Sequence, residues 1–202
     1  MKTAEMYNVS TMKNDTRDKL LEAVRLKAYR TGDFTLASGK KSDYYIDCKE
    51  VTLDGDGSLL VGTMVFGIIK SWGVSAVGGM ELGSVPISTA VSIVSAIEGA
   101  PIFNFIVRKE AKGHGTGKRL EGRIGPGDRV AVVEDVVSTG GSSLKAIDAI
   151  EESGAIVAGL VSIVDREMGG SEAFINRGIK YTPIFTISEI RDSQAPTTAS
   201  GS

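Results

Sequence analysis

The segment Arg129–Ser143, RVAVVEDVVSTGGSS, concentrates more chemistry than any other stretch of the chain. Two neighbouring carboxylates, Glu134 and Asp135, follow an apolar strand read over Arg129–Val133, and small and hydroxyl residues then lead into a helix expected from about Ser142 to Ser153. In an open α/β sheet, ligands bind at the carboxyl edge of the strands. Gly140 and Gly141 let the backbone approach a ligand closely, and the hydroxyls of Ser138, Thr139 and Ser142 can donate hydrogen bonds. The helix N-terminus adds unpaired N–H groups at the positive end of its dipole. That combination suits a phosphate. The two acids need a different partner, because anions beside a phosphate are unfavourable unless they accept from hydroxyls or face a cation. A phosphorylated sugar satisfies both ends, its vicinal hydroxyls donating to Glu134 and Asp135 and its phosphate lying in the loop from Ser138 to Ser142. Alone, a Ser-Thr-Gly-Gly turn more often caps the next helix through Asp135 or Ser138; strand, acid pair and loop together favour the cradle.

A second segment, Arg108–Gly115, RKEAKGHG, gathers Arg108, Lys109, Lys112 and the only histidine, His114, with glycines at 113, 115 and 117. Such a charge run is ordinarily a solvated loop. A departing diphosphate, however, needs cations to meet its growing charge, and a flexible basic loop closing over the site would supply them and exclude water. Other phosphate motifs are missing: the chain has no GxxxxGK[ST], and Gly113-His114-Gly115 neither follows a strand nor opens a helix.

Residues 130–142 match, throughout, the ribose-phosphate motif of the phosphoribosyltransferases, so the chain resembles that family. RKExKxHG is similar to the catalytic loop of the orotate phosphoribosyltransferases in particular. Three further stretches agree in order: Phe34–Asp47, FTLASGKKSDYYID, is similar to their N-terminal hood; Gly79–Pro86, GMELGSVP, to their diphosphate loop; and Val164-Asp165-Arg166 falls where they carry an arginine for the orotate carboxylate. The resemblance spans roughly residues 31–166. It implies transfer of the phosphoribosyl group of 5-phosphoribosyl 1-diphosphate to orotate, giving orotidine 5′-phosphate and diphosphate in de novo pyrimidine (UMP) biosynthesis.

It also implies a division of labour. Glu134, Asp135, Val136, Val137, Ser138, Thr139, Gly140, Gly141 and Ser142 would bind the ribose phosphate, and Leu82 and Gly83 would join Arg108, Lys109, Lys112 and His114 at the diphosphate. Tyr45, Ile46, Ser138 and Arg166 would face orotate. Catalysis would fall to Lys109, Lys112, His114, Arg108 and Asp135, with no side-chain base, since orotate itself ionises readily. Mg²⁺ is implied by the charge of the diphosphate and would be held mainly by substrate and water, with no direct protein ligand. The family's shared catalytic loop implies a homodimer. Two departures stand out: some bacterial members have lysines at the positions of Ala37 and Gly83, contacts that are here lost or replaced, with Lys40 and Lys41 as candidates; and the first acid is Glu134 where others have Asp.

Two alternatives keep the cradle. A regulator sensing the sugar diphosphate would lack the basic loop and carry a helical DNA-binding module, for which the roughly thirty residues before the hood leave no room. A transferase for another base would need neither RKExKxHG nor Arg166.

The elements that must position these residues follow from composition and pattern. The 202 residues, 42% hydrophobic and 24% charged, suit one domain, read as residues 1–193 with the hood in about 1–50 and a loose tail at 194–202. A net charge of −2 argues against a general nucleic-acid binder, the polar N-terminus is no signal peptide, and Leu82–Ile97 is too short and polar to span a membrane. Cys48, the only cysteine, cannot form an internal disulfide and points to the cytoplasm. Helices are expected near Asp15–Tyr29, capped by Asn14, Asp15 or Thr16 and ended by Gly32, and at Ser58–Trp72 and Pro86–Ile97. Strands are expected at Phe34–Leu36 and Tyr44–Asp47 around the turn Ser38-Gly39-Lys40, then at Val74–Val77 before a glycine-rich turn, Ile102–Val107, Ile156–Val164 and Tyr181–Ile187. Apolar strands alternating with helices give an α/β class with a mostly parallel sheet flanked by helices.

Overall fold

In the computed structural model, which describes residues 13–35, 39, 41–110 and 119–192, α1 (Lys13–Ala23) continues through a π-helical turn at Val24–Ala28. The chain then forms an antiparallel hairpin, β1 (Tyr29–Thr35) and β2 (Lys41–Ile46). Gly32 does not end the helix. It lies inside β1, where the register slips between Thr31 and Phe34, a place a glycine serves as readily as a helix end. Asn14, Asp15 and Thr16 fall inside α1 rather than ahead of it.

After a short α2 (Lys49–Thr52), α3 (Gly55–Ile69) begins three residues earlier than its apolar periodicity suggests, because Asp54 caps it, its Oδ1 accepting from Gly57 N at 2.9 Å. β3 (Ala76–Met80) leads to α4 (Ser84–Ile97), β4 (Phe103–Val107) and β5 (Leu120–Gly122). Then come β6 (Arg129–Val137), α5 (Gly141–Glu152), β7 (Ile156–Asp165), α6 (Gly170–Asn176), β8 (Tyr181–Thr186) and α7 (Ile187–Asp192). The main sheet runs β5-β4-β3-β6-β7-β8, parallel except for the edge strand β5.

Gly78 and Gly79 are strand rather than turn. A Cβ on Gly78 would lie 2.2 Å from Phe105 O and one on Gly79 2.2 Å from Val133 O, so only glycine lets β3 pack between its neighbours. β6 likewise continues four residues past Val133, paired with β7 as far as Val137 opposite Asp165, so the acid pair sits within the strand.

Alternation along β6 gives both faces of the sheet to helices. Ala131 and Val133 pack with Val61, Val65 and Val91 of α3 and α4, while Val130 and Val132 pack with Ala146, Ile147 and Ile150 of α5. Full burial of each such branched side chain contributes roughly 1.5–3 kcal/mol, which fixes the register and hence the strand ends that carry the site. No helix among the described residues is long and apolar enough to cross a membrane. Residues 36–38, 40, 111–118 and 193–202, and with them most of the turn expected at Ser38-Gly39-Lys40, the centre of the basic segment and the tail expected at 194–202, lie outside the described residues.

Candidate active site

Three loops meet at the carboxyl edge of the sheet, after β3, β6 and β7. β6 presents the acid pair in different directions. Glu134, only 7% exposed, accepts from Ser143 Oγ on α5 at 2.9 Å, whereas half-buried Asp135 lies under the start of α4 with Oδ1 accepting from Val136 N at 2.9 Å. Burial, and then the neighbouring charge of Asp135, push the Glu134 carboxyl up to about 8, with the Ser143 bond opposing them.

That shift has a sign. The folded chain holds a proton that the unfolded chain has already released, so stability falls as pH rises from about 4.5 to about 8 and is level above. Glu134→Gln is expected to flatten this slope and to raise stability at pH 8 by roughly 2 kcal/mol, read by urea unfolding of the ligand-free protein at pH 5 and pH 8. Equal slopes in variant and wild type would contradict it.

α5 opens on Gly140 at φ 80°, a left-handed residue with no side chain to cap the helix. Asp135 is turned to Val136 N, and Ser138 Oγ lies 3.5 Å from Arg166 Nη1. No side chain caps α5, and its first turn opens beside exposed Thr139, Gly141 and Ser142. The loop after β7 clamps the turn that precedes it, with Gly170 N donating to Ser138 O at 3.0 Å and Arg166 N to Val137 O at 2.8 Å.

The turn after β3 rests on the acid. A Cβ on Gly83 would come within 2.5 Å of the Asp135 carboxylate, so a lysine at 83 could enter only by displacing it. Glu81 ties this turn to the root of the basic segment: its N donates to Val107 O at 2.8 Å, and its Oε1 accepts from Lys109 N at 2.9 Å. Arg108 is engaged elsewhere, its guanidinium 3.7 Å from Glu121 on β5. Lys112 and His114 lie outside the described residues, as do Ala37 and Lys40, while Lys41 donates to Thr35 Oγ1 at 2.9 Å.

In the hairpin, alternation decides which aromatic ring faces the site. Tyr44 is buried; its hydroxyl accepts from Arg166 Nε at 3.0 Å, and its ring lies 4.9 Å from that guanidinium and 5.5 Å from that of Arg191 on α7. Tyr45 points the other way, 43% exposed and packed on Phe34, while half-buried Ile46 joins the main core. Glu134, Asp135, Gly83, the 138–142 cradle and Arg166 thus come together, and Tyr44, Ser143 and Glu81 join them although sequence reasoning did not single them out. Period-two counting in the hood and the serine in the first turn of α5 were the available signals.

No family model matches the chain. It is 43% identical to the orotate phosphoribosyltransferase of Aquifex aeolicus over 86% of this chain and 97% of that protein. The chain belongs to the orotate phosphoribosyltransferase family. Solved orotate phosphoribosyltransferases share the architecture. The Mycobacterium tuberculosis enzyme crystallised with Fe(III) dicitrate superposes with a TM-score of 0.78 at 38% identity, covering 87% of this chain and 99% of that one. The same enzyme with 5-phospho-α-D-ribosyl 1-diphosphate gives 0.74 at 34%, covering 87% and 98%. The type I phosphoribosyltransferase fold, a mostly parallel sheet flanked by helices beside a small antiparallel hairpin, is that of this chain.

Proposed function

We infer that the chain transfers the 5-phosphoribosyl group from 5-phosphoribosyl 1-diphosphate to orotate, releasing diphosphate and forming orotidine 5′-phosphate on the route to UMP. The observation that carries this reading is the convergence of an uncapped helix N-terminus, a carboxylate under the Leu82–Gly83 turn and a tyrosine-braced Arg166 on one sheet edge. The cradle at 138–142 takes the sugar phosphate, and the ribose hydroxyls donate to Asp135 and, with Ser143 holding it, Glu134. Arg166 takes the orotate carboxylate with a planar fork. As the C1′–oxygen bond lengthens, the negative charge of Asp135 favours the oxocarbenium-like sugar, while Lys109, Lys112, Arg108 and His114 meet the charge of the departing diphosphate.

Magnesium fits this donor set. No group of three or more His, Cys, Asp or Glu among the described residues could hold an ion, whereas Asp135 offers a hard carboxylate at the cradle rim where a diphosphate-bound cation and its water shell would lie. Bound there with the substrate, the ion neutralises part of the diphosphate charge. Buried, unpaired Cys48 is consistent with a reducing cytoplasm.

A homodimer would cover an apolar face that the single chain leaves open. Ile93, 57% exposed on α4, marks its centre. Ile97, also 57% exposed and one helical turn beyond Ile93, extends the patch. Ile93→Arg is expected to raise the dimer dissociation constant by about 10²-fold, moving sedimentation toward the monomer at micromolar concentration. A variant that sediments as the wild type does would remove this face from the interface.

The function is tested by steady-state assay of several bases with the sugar diphosphate and Mg²⁺. Orotate alone should be consumed, and turnover of adenine or uracil with orotate inert would overturn the assignment.

A further inference from the structure

Lys49 is a cation that the mechanism above does not use. It opens α2 directly below the hood, with Nζ 2.6 Å from Asp47 Oδ1 and its backbone N donating to the same oxygen at 3.1 Å. The Lys49 backbone N remains on Asp47 when the ammonium leaves, so this carboxylate does not depend on the ammonium alone. Asp47 first, and Asp135 after it, hold the Lys49 ammonium above its ordinary range, so it stays charged. An ammonium has three donors, and Lys49, 39% exposed, keeps access to solvent.

Its position gives those donors an object. Lys49 and Leu82 line one groove, and Leu82 lies in the turn whose Gly83 rests against the Asp135 carboxylate. Lys49 thus stands on the hood side of the diphosphate turn, while Lys109 is fastened to the same turn from the end of β4 through Glu81. A half-exposed ion pair is weak and readily exchanged, whereas an ammonium–phosphate contact is a strong, charge-assisted one. We propose that Lys49 is a diphosphate-contacting residue, released from Asp47 to the diphosphate of the sugar substrate as that group settles on the Leu82–Gly83 turn. The proposal rests on the transferase reading above.

Calorimetric titration with inorganic diphosphate and Mg²⁺, paired with steady-state kinetics, tests it. Lys49→Gln should weaken diphosphate binding about tenfold and raise KM for the sugar diphosphate similarly, with kcat and KM for orotate within about twofold, and Lys49→Arg should restore most of the loss. Asp47→Asn frees the ammonium while keeping an acceptor for Lys49 N, and should bind diphosphate at least as tightly as wild type. A merely structural pair would make Asp47→Asn and Lys49→Gln weaken binding alike, and that result, or a Lys49→Gln titration matching wild type, overturns the proposal. Should Lys49→Gln fail to fold, the Asp47→Asn titration decides in the same two directions. Wild-type protein that transfers no phosphoribosyl group overturns the function and this contact together; active wild type with an indifferent Lys49→Gln overturns the contact alone.

Discussion

Replacing Arg166 with alanine is expected to lower kcat/KM for orotate by about 10²–10³-fold, with lysine recovering little of it. The reason lies in how the side chain is held. Its Nε is spent on the Tyr44 hydroxyl, its ring neighbour is the same tyrosine, and its backbone N is tied to Val137 O. One edge of the guanidinium is therefore fixed to the hood and the other faces Ser138, oriented before any ligand arrives. A planar carboxylate meeting that edge makes two parallel charge-assisted bonds, and an ammonium could not both keep the tyrosine and present a matching pair. The loss should appear with orotate as the varied substrate, while KM for the sugar diphosphate stays within about threefold because its cradle does not depend on this fork. Tyr44→Phe should give a smaller loss in the same direction by loosening the fork. An Arg166→Ala enzyme with wild-type kcat/KM for orotate would remove the arginine from the base site.

What the sequence shows plainly is the part of the site that is contiguous. Residues 130–142 carry strand, acids and cradle in one run, and each local feature is a residue type with a direct physical consequence. The fold class was legible for the same reason: continuously apolar strands such as Val130–Val133 can only be covered on both faces. Where the reading slipped, local cues competed with tertiary ones. Gly78 and Gly79 read as a turn, but the close approach of Phe105 and Val133 makes glycine the residue a packed strand needs there. β5, three residues long, α6 and α7 are too short to show a period. Non-local geometry was beyond reach: that Tyr44 rather than Tyr45 meets Arg166, that Glu81 fastens Lys109, and that Gly83 lies on Asp135 each join segments far apart in the chain.

Lys109→Ala is expected to lower kcat by about 10²–10³-fold, the loss typical of a removed preorganised donor, with Lys112→Ala behaving alike. Lys109 is exposed, so the substitution opens no cavity, while its backbone N stays on Glu81. The loss should therefore fall on the chemical step, visible in single-turnover rates, and unchanged rates in both variants would refute the basic segment's role. Its placement makes a second measurement decisive. We propose that the lysines act in the neighbouring subunit of a dimer rather than their own, as the resemblance of this segment to the family's shared catalytic loop implies. If so, Lys109→Ala and Asp135→Asn proteins, each nearly inactive, should regain about a quarter of wild-type activity when dissociated together and reassociated, because half of the dimers then hold one site with both parts intact. Lysines acting within their own subunit would leave the mixture as inactive as its components.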